Sequence, residues 1–161
     1  MSIEIARQHL KQFHAEQNIL EFDVSSATVE LAAQAVHCIP ARIAKTLSFY
    51  AEEGCILIVA AGDAKIDNSK FKHTFGRKPR MLAAEDVPVM TNHAIGGVCP
   101  FGVPETAAVY LDNSLQRFDT VFPACGSSNS AIELDCDTLF QYAGAKGWVD
   151  VCKGWQEDCQ G

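Results

Sequence analysis

The stretch from Lys45 to Ala60 constrains the fold most. Lys45, Leu47 and Phe49 alternate with Thr46, Ser48 and Tyr50, which is the two-residue period of a strand. Glu53-Gly54 is a turn signal, and Cys55 to Ala60 is a continuous apolar run. Together they predict a hairpin whose second strand is buried on both faces, so other elements must cover both sides of the sheet. Helical spacing supplies candidates. Ile3, Ala6, Leu10 and Phe13 predict an amphipathic helix over 3–16. Thr28 can cap a second helix to about Val36, with Glu30 in its first turn, and Pro40 suits the start of a short helical piece. Ser69 to Phe75 reads as a helix ended by Gly76, Glu85 to Met90 as a short helix, and Asp137 as the cap of a helix to about Ala143. Further strands are expected at Arg80–Leu82, Ala107–Leu111, Thr120–Phe122, Ala131–Leu134 and Trp148–Val151. This order is not a regular βαβ alternation, so the class is α+β with a mixed sheet.

At 161 residues the chain reads as a single domain, 1–161, large enough to hold a core without metal or disulfides. No apolar run approaches a membrane span, and the charged N-terminal stretch lacks a signal core, so the expected location is cytoplasmic with no membrane partner. The seven cysteines (Cys38, Cys55, Cys99, Cys125, Cys136, Cys152 and Cys159) include no C-x-x-C pair and no zinc-finger spacing with histidine. They read as buried thiols, and no metal or cofactor is expected. His9, His14, His37 and His73 form no ligand cluster. The net charge is −7, which disfavours general nucleic-acid binding. Between Lys65 and Arg80, however, six basic residues and one acid make a local +5 against −12 elsewhere. That run is either a solvated helix face or a surface for one end of an RNA, expected in the second case to share a side with Lys45.

Three features could carry chemistry. The loop Gly96-Gly97-Val98-Cys99-Pro100-Phe101-Gly102-Val103-Pro104 has three glycines and two prolines in nine residues. Such a path is either a tight structural turn or a set of backbone N–H groups aimed at an oxyanion. Lys45 shares its strand face with Leu47 and Phe49, so it either snorkels to water or stands in a cleft awaiting a phosphate or carboxylate. Cys99 follows a glycine pair with His93 six residues earlier; it either shapes the loop or forms a Cys–His nucleophile.

Taken in order, these pieces resemble the YbaK/EbsC family and the related insertion domain of bacterial prolyl-tRNA synthetases. The resemblance is carried by Thr28-x-Glu30, Ala41–Leu47 with Lys45, Ala60–Asp67, Lys70 to Gly76, Gly96–Gly102, Phe118-Asp119-Thr120, Gly126 and Ile132-Glu133-Leu134. It implies a mixed, partly barrel-like β-sheet flanked by helices. It also implies a trans-editing deacylase that hydrolyses mischarged tRNA bearing a small amino acid, with tRNA(Pro) or a related tRNA as carrier. The partners it implies are the aminoacyl-tRNA 3′ end and an aminoacyl-tRNA synthetase. Lys45 would be the pocket lysine holding the terminal nucleotide, and Gly97 would lie on the amide loop that binds the ester. Substrate contacts fall on Thr28, Thr46, Gly96, Cys99, Pro100, Gly102, Gly126 and Ser128, and RNA contacts on Lys70, Lys72 and Lys78. The chain departs from the family in carrying Cys99 where many relatives have Ser, and Ala131 where a polar side chain is usual. Two rivals are a non-catalytic module that holds tRNA ends or a synthetase, and a thiol hydrolase using Cys99.

Overall fold

The computed structural model describes residues 2–23 and 28–155. The hairpin forms as its periodicity predicts. β2 (Ile43–Tyr50) runs antiparallel to β3 (Cys55–Ala61), which is buried along its whole length. Gly54 turns the hairpin with φ of +72°. β3 also pairs in parallel with β5 (Ala107–Asp112). The central sheet is completed by β6 (Phe122–Pro123) beside β2 and β8 (Trp148–Val149) beside β5, both parallel, giving the order β6-β2-β3-β5-β8.

Short pairs curl the two ends of this sheet. β1 (Leu20–Glu21) pairs with β7 (Ser130–Ala131), and single bridges at Val121–Leu134 and Ala124–Ala131 tie β7 back to β6. At the other end β4 (Lys65–Ile66) pairs with β9 (Cys152–Lys153). The class is α+β with a mixed sheet flanked by helices, as expected. β1, β4 and β9 were not expected, and β6, β7 and β8 are shorter than the strands expected at Thr120–Phe122, Ala131–Leu134 and Trp148–Val151, because the extent of such short strands is set by their distant partners.

α1 (Ser2–Lys11) buries Ala6 and Leu10, then stops short of the expected residue 16. His14 adopts a left-handed φ of 59° and Ala15 N–H returns to Leu10 O, closing the helix; a separate 3-10 turn follows at Glu16–Asn18. Thr28 caps α2 (Val29–Val36) by accepting from Leu31 N–H, and α2 lays Ala32 and Ala33 against Ile43, Phe122 and Ala131. Pro40 opens a 3-10 turn, Pro40–Arg42. α3 (Asn68–Phe75) is capped by Asp67, ends at left-handed Gly76, and inserts Phe71 against Phe49 with ring centroids 4.9 Å apart. A 3-10 turn, Ala84–Asp86, leads into α4 (Val87–Thr91), whose Pro88 sits in the first turn where a missing N–H costs nothing.

Two expectations need correction. Residues 80–82 do not form a strand; they make only the isolated Phe49–Met81 bridge, through the bonds Tyr50 N–H to Arg80 O and Leu82 N–H to Ser48 O. α5 (Cys136–Ala143) is capped by Asp135, which accepts from Thr138 N–H at 2.7 Å, rather than by Asp137, which lies inside the first turn. Among the described residues, no helix is long and apolar enough to cross a membrane. The same residues contain no group of three His, Cys, Asp or Glu side chains placed to hold a metal ion. The six described cysteines are free thiols; Cys159 lies outside the described residues.

Candidate active site

One edge of β2 opens into a cleft of about 460 Å³, within the range usual for small-molecule sites. Its floor is β2 from Ile43 to Ser48. Its walls come from α2 (Thr28, Val29, Ala32), the 81–87 segment (Met81, Leu82, Val87), the glycine loop (Ile95, Gly96, Val98) and the β6–β7 region (Phe122, Ala124, Ser130, Ala131). The lining is mainly apolar. Met81 and Ile95 are 59% and 64% exposed, which puts two large apolar side chains in contact with both solvent and cleft.

Lys45 is the cation of this cleft. It is half-buried, and its Nζ donates to Gly62 O at 3.2 Å and to Ala64 O. An ammonium has three N–H donors, so one remains for a ligand. Burial pulls its pKa below the ordinary lysine value, partly countered by nearby Asp63 and Glu30. Asp63 itself is held by Arg117 in a two-pronged pair of 2.6 and 3.0 Å, and Arg117 stacks on Phe118 and Trp155. That clamp fixes the turn whose carbonyls receive Lys45. It joins residues 54 apart in the chain, and nothing local in the sequence signals it.

Thr28, Thr46 and Gly96, three of the residues to which the resemblance assigns substrate contacts, also line the cleft. Of the rest of the glycine loop only Val98 reaches the lining. Gly97 is buried, and its N–H is committed to Ala94 O at 2.9 Å. The expectation that the Gly97 amide faces a substrate ester is corrected on that point. A Cβ at Gly97 would stand 2.8 Å from Gly126 O and 2.9 Å from Ser127 Cα, so Gly97 and buried Gly126 meet backbone to backbone. Pro100 is buried behind the loop. Gly102 lies against Ile5 of α1, with its carbonyl accepting from Asn92 Nδ2. Ser128 is exposed beside the cleft wall, while Ser130 and Ala131 line it.

The family model for the aminoacyl-tRNA editing domain matches residues 23–142. The chain belongs to the aminoacyl-tRNA editing domain family. Within it, the chain is 55% identical over 157 residues to the YwhH protein of Bacillus subtilis (strain 168), covering 97% of this chain and 100% of that one. It is 27% identical over 90 residues to a proline–tRNA ligase of Bacillus cytotoxicus, covering 55% of this chain and 16% of the ligase. A crystal structure of a protein proposed to be a trans-editing enzyme for prolyl tRNA synthetase superposes with a TM-score of 0.85 at 28% identity, covering 95% of this chain and 98% of that one.

The editing domain does bring Cys99 and His93 together, with Sγ 3.4 Å from Nε2, but it buries both completely. His93 Nε2 lies 2.7 Å from Phe101 O, which requires Nε2 to carry the proton and so leaves it unable to accept the thiol's. Burial pushes the Cys99 pKa up to about 12 and the His93 pKa down. At neutral pH the pair is therefore a thiol beside a neutral imidazole, and neither side chain lines the cleft. Iodoacetamide should leave Cys99 unmodified until the protein unfolds, and Cys99→Ser should leave any hydrolysis carried out in the cleft within a few-fold of wild type. Loss of activity together with an acyl group trapped on Cys99 would restore the thiol-hydrolase reading.

The RNA-contact candidates divide. Lys70 Nζ bridges Asp150 Oδ1 at 3.0 Å and Cys152 O at 3.1 Å, tying α3 to the β8–β9 end, in a recess separate from the cleft. Lys72 and Lys78 are exposed. Both ends of the basic run adjoin the cleft: Lys65 follows Ala64, which receives Lys45, and Arg80 precedes Met81.

Proposed function

We propose that this editing domain acts in trans as an aminoacyl-tRNA deacylase, hydrolysing the ester of a mischarged tRNA that carries a small amino acid, with tRNA(Pro) or a related tRNA as carrier. The observation that carries this reading is Lys45: a partly desolvated ammonium, anchored by two carbonyls, with a donor left over at the floor of an apolar cleft. A half-buried cation in that position calls for an anionic partner, and the phosphate of a terminal nucleotide supplies one. Exposed Met81 and Ile95 give the adenine ring an apolar surface. The aminoacyl group then enters beside Ala32, Ala124 and Ala131, small side chains of the cleft lining. Water attacks the ester carbonyl, assisted by the neighbouring ribose hydroxyl, and backbone N–H groups hold the developing oxyanion. One such donor is worth about 3–4 kcal/mol in comparable sites. Selection by size is coarse, about 1–3 kcal/mol per methylene, so the cleft suits the exclusion of larger residues. The test is a deacylation screen over mischarged tRNA(Pro), tRNA(Cys), tRNA(Ala) and tRNA(Thr). Release of a small amino acid from none of them, with tRNA binding intact, would favour a non-catalytic module that holds tRNA ends.

The basic run makes a separable prediction. Neutralising Lys72 and Lys78 together should weaken binding of full tRNA and flatten its salt dependence, each lost phosphate contact reducing the slope by about 0.7–0.9. Hydrolysis of a minimal aminoacyl-adenosine should hardly change. Lys70→Gln should instead act mainly on stability, because its charge is already engaged by Asp150. Equal losses on both substrates in the double variant would sink the RNA-contact assignment.

A further inference from the structure

The floor of the cleft is a gap in a β-ladder. Ala51 N–H donates to Gly54 O across the hairpin turn, so the odd-numbered residues of β2 exchange bonds with β3. The even-numbered residues therefore turn their N–H and C=O to the opposite edge. Near the hairpin turn that edge is occupied: Tyr50 N–H donates to Arg80 O at 2.9 Å, and Ser48 O accepts from Leu82 N–H at 3.1 Å. At the other end, Ala44 pairs with Pro123 of β6. Between them, the N–H and C=O of Thr46 have no protein partner among the described residues, and the buried Thr46 hydroxyl has none either. Unpaired main-chain groups in an apolar cleft are costly unless a ligand or water completes them.

We infer that Thr46 reads the aminoacyl group as a single residue of an antiparallel strand, a proposal that rests on the deacylase reading. An α-aminoacyl ester carries an ammonium and a carbonyl on one Cα, as a strand residue carries N–H and C=O. In the extended form both point to the same side, as in a hydrogen-bonded antiparallel pair. The ammonium donates to Thr46 O, and Thr46 N–H donates to the ester carbonyl. The oxyanion then forms on the oxygen that Thr46 N–H holds, a role the Gly97 amide cannot fill while bonded to Ala94 O. The antiparallel direction sends the ester end toward Lys45 and the α-amino end toward residues 80–82. Leu82 N–H, on Ser48 O, occupies the place a peptide chain extending from that amine would need. The substrate class is thus an ester with a free α-amino group, and peptidyl or N-acylated esters are excluded.

The test uses hydrolysis-resistant ligands and the full chain: 3′-alanylamino-3′-deoxyadenosine, its N-acetylated form, and the 3′-propionylamino compound that lacks the amine. The alanyl compound should bind and shift the Thr46 amide resonance downfield. The other two should bind about tenfold or more weakly, the scale of one lost charge-assisted hydrogen bond. Thr46→Pro deletes the cleft-facing N–H without breaking a β2–β3 bond and should remove the preference, whereas Thr46→Ala should keep it. If the proline variant does not fold, the three ligands on the wild-type chain still decide. Equal affinity for all three, or binding that leaves the Thr46 amide unmoved, overturns the pairing alone. No binding of the alanyl compound overturns the pairing together with the deacylase reading.

Discussion

Lys45→Ala should lower deacylation by about a hundredfold or more while the protein stays folded. On the proposed function the loss follows from positioning: without the anchored ammonium the terminal nucleotide would have no fixed point, and small losses of alignment cost about that much. Stability should change by less than about 1 kcal/mol, because two hydrogen bonds are lost but a partly desolvated charge is removed with them. Steady-state deacylation and a denaturant titration on the same preparation separate the two effects. The pH dependence gives a second check. Burial lowers the Lys45 pKa, so the ammonium to which the proposed function assigns the nucleotide is fully present below the lowered value and lost as pH rises through it. After subtraction of spontaneous hydrolysis, kcat/KM should therefore fall at a pH below the ordinary lysine value of 10.5, and Lys45→Ala should lack that limb. Near-normal turnover in the variant would remove Lys45 from the site.

Gly97→Ala should destabilise the protein by roughly 1–3 kcal/mol, the usual cost of forcing a methyl into a packed position. The expected obstruction is protein rather than ligand. The new Cβ meets Gly126 O at 2.8 Å and Gly126 C and Ser127 Cα at 2.9 Å, all backbone atoms that cannot rotate aside. Separating the two loops must also displace Gly96 and Val98 from the cleft wall, so turnover of the folded fraction should fall as well. Gly96→Ala provides the contrast. Its φ of +88° costs about 1–2 kcal/mol for an L-residue, but its Cβ meets nothing within 4 Å. A Gly97→Ala protein with wild-type unfolding and turnover would mean that the two loops do not touch in solution.

Local signals in the sequence determined much of this protein. The alternation from Lys45 to Tyr50 and the apolar run after Gly54 fixed the central hairpin, because period and burial are properties of neighbouring residues. Thr28 and Gly76 marked helix ends for the same reason, since a cap bonds within three or four residues. For Lys45 the sequence left two places open, snorkelling to water or standing in a cleft, and the tertiary structure put it in the cleft. The tertiary structure decided what depends on distant contacts. It buried Cys99 against His93 and Phe101 and so kept the thiol protonated. It set Gly97 against Gly126, bound Asp63 to Arg117, and turned Lys70 toward Asp150. Above all, it placed β6 and residues 80–82 on the same edge of β2 but left Thr46 uncovered between them. A strand's own residues state which faces it buries; which of its edge groups stay unpaired depends on where other strands stop.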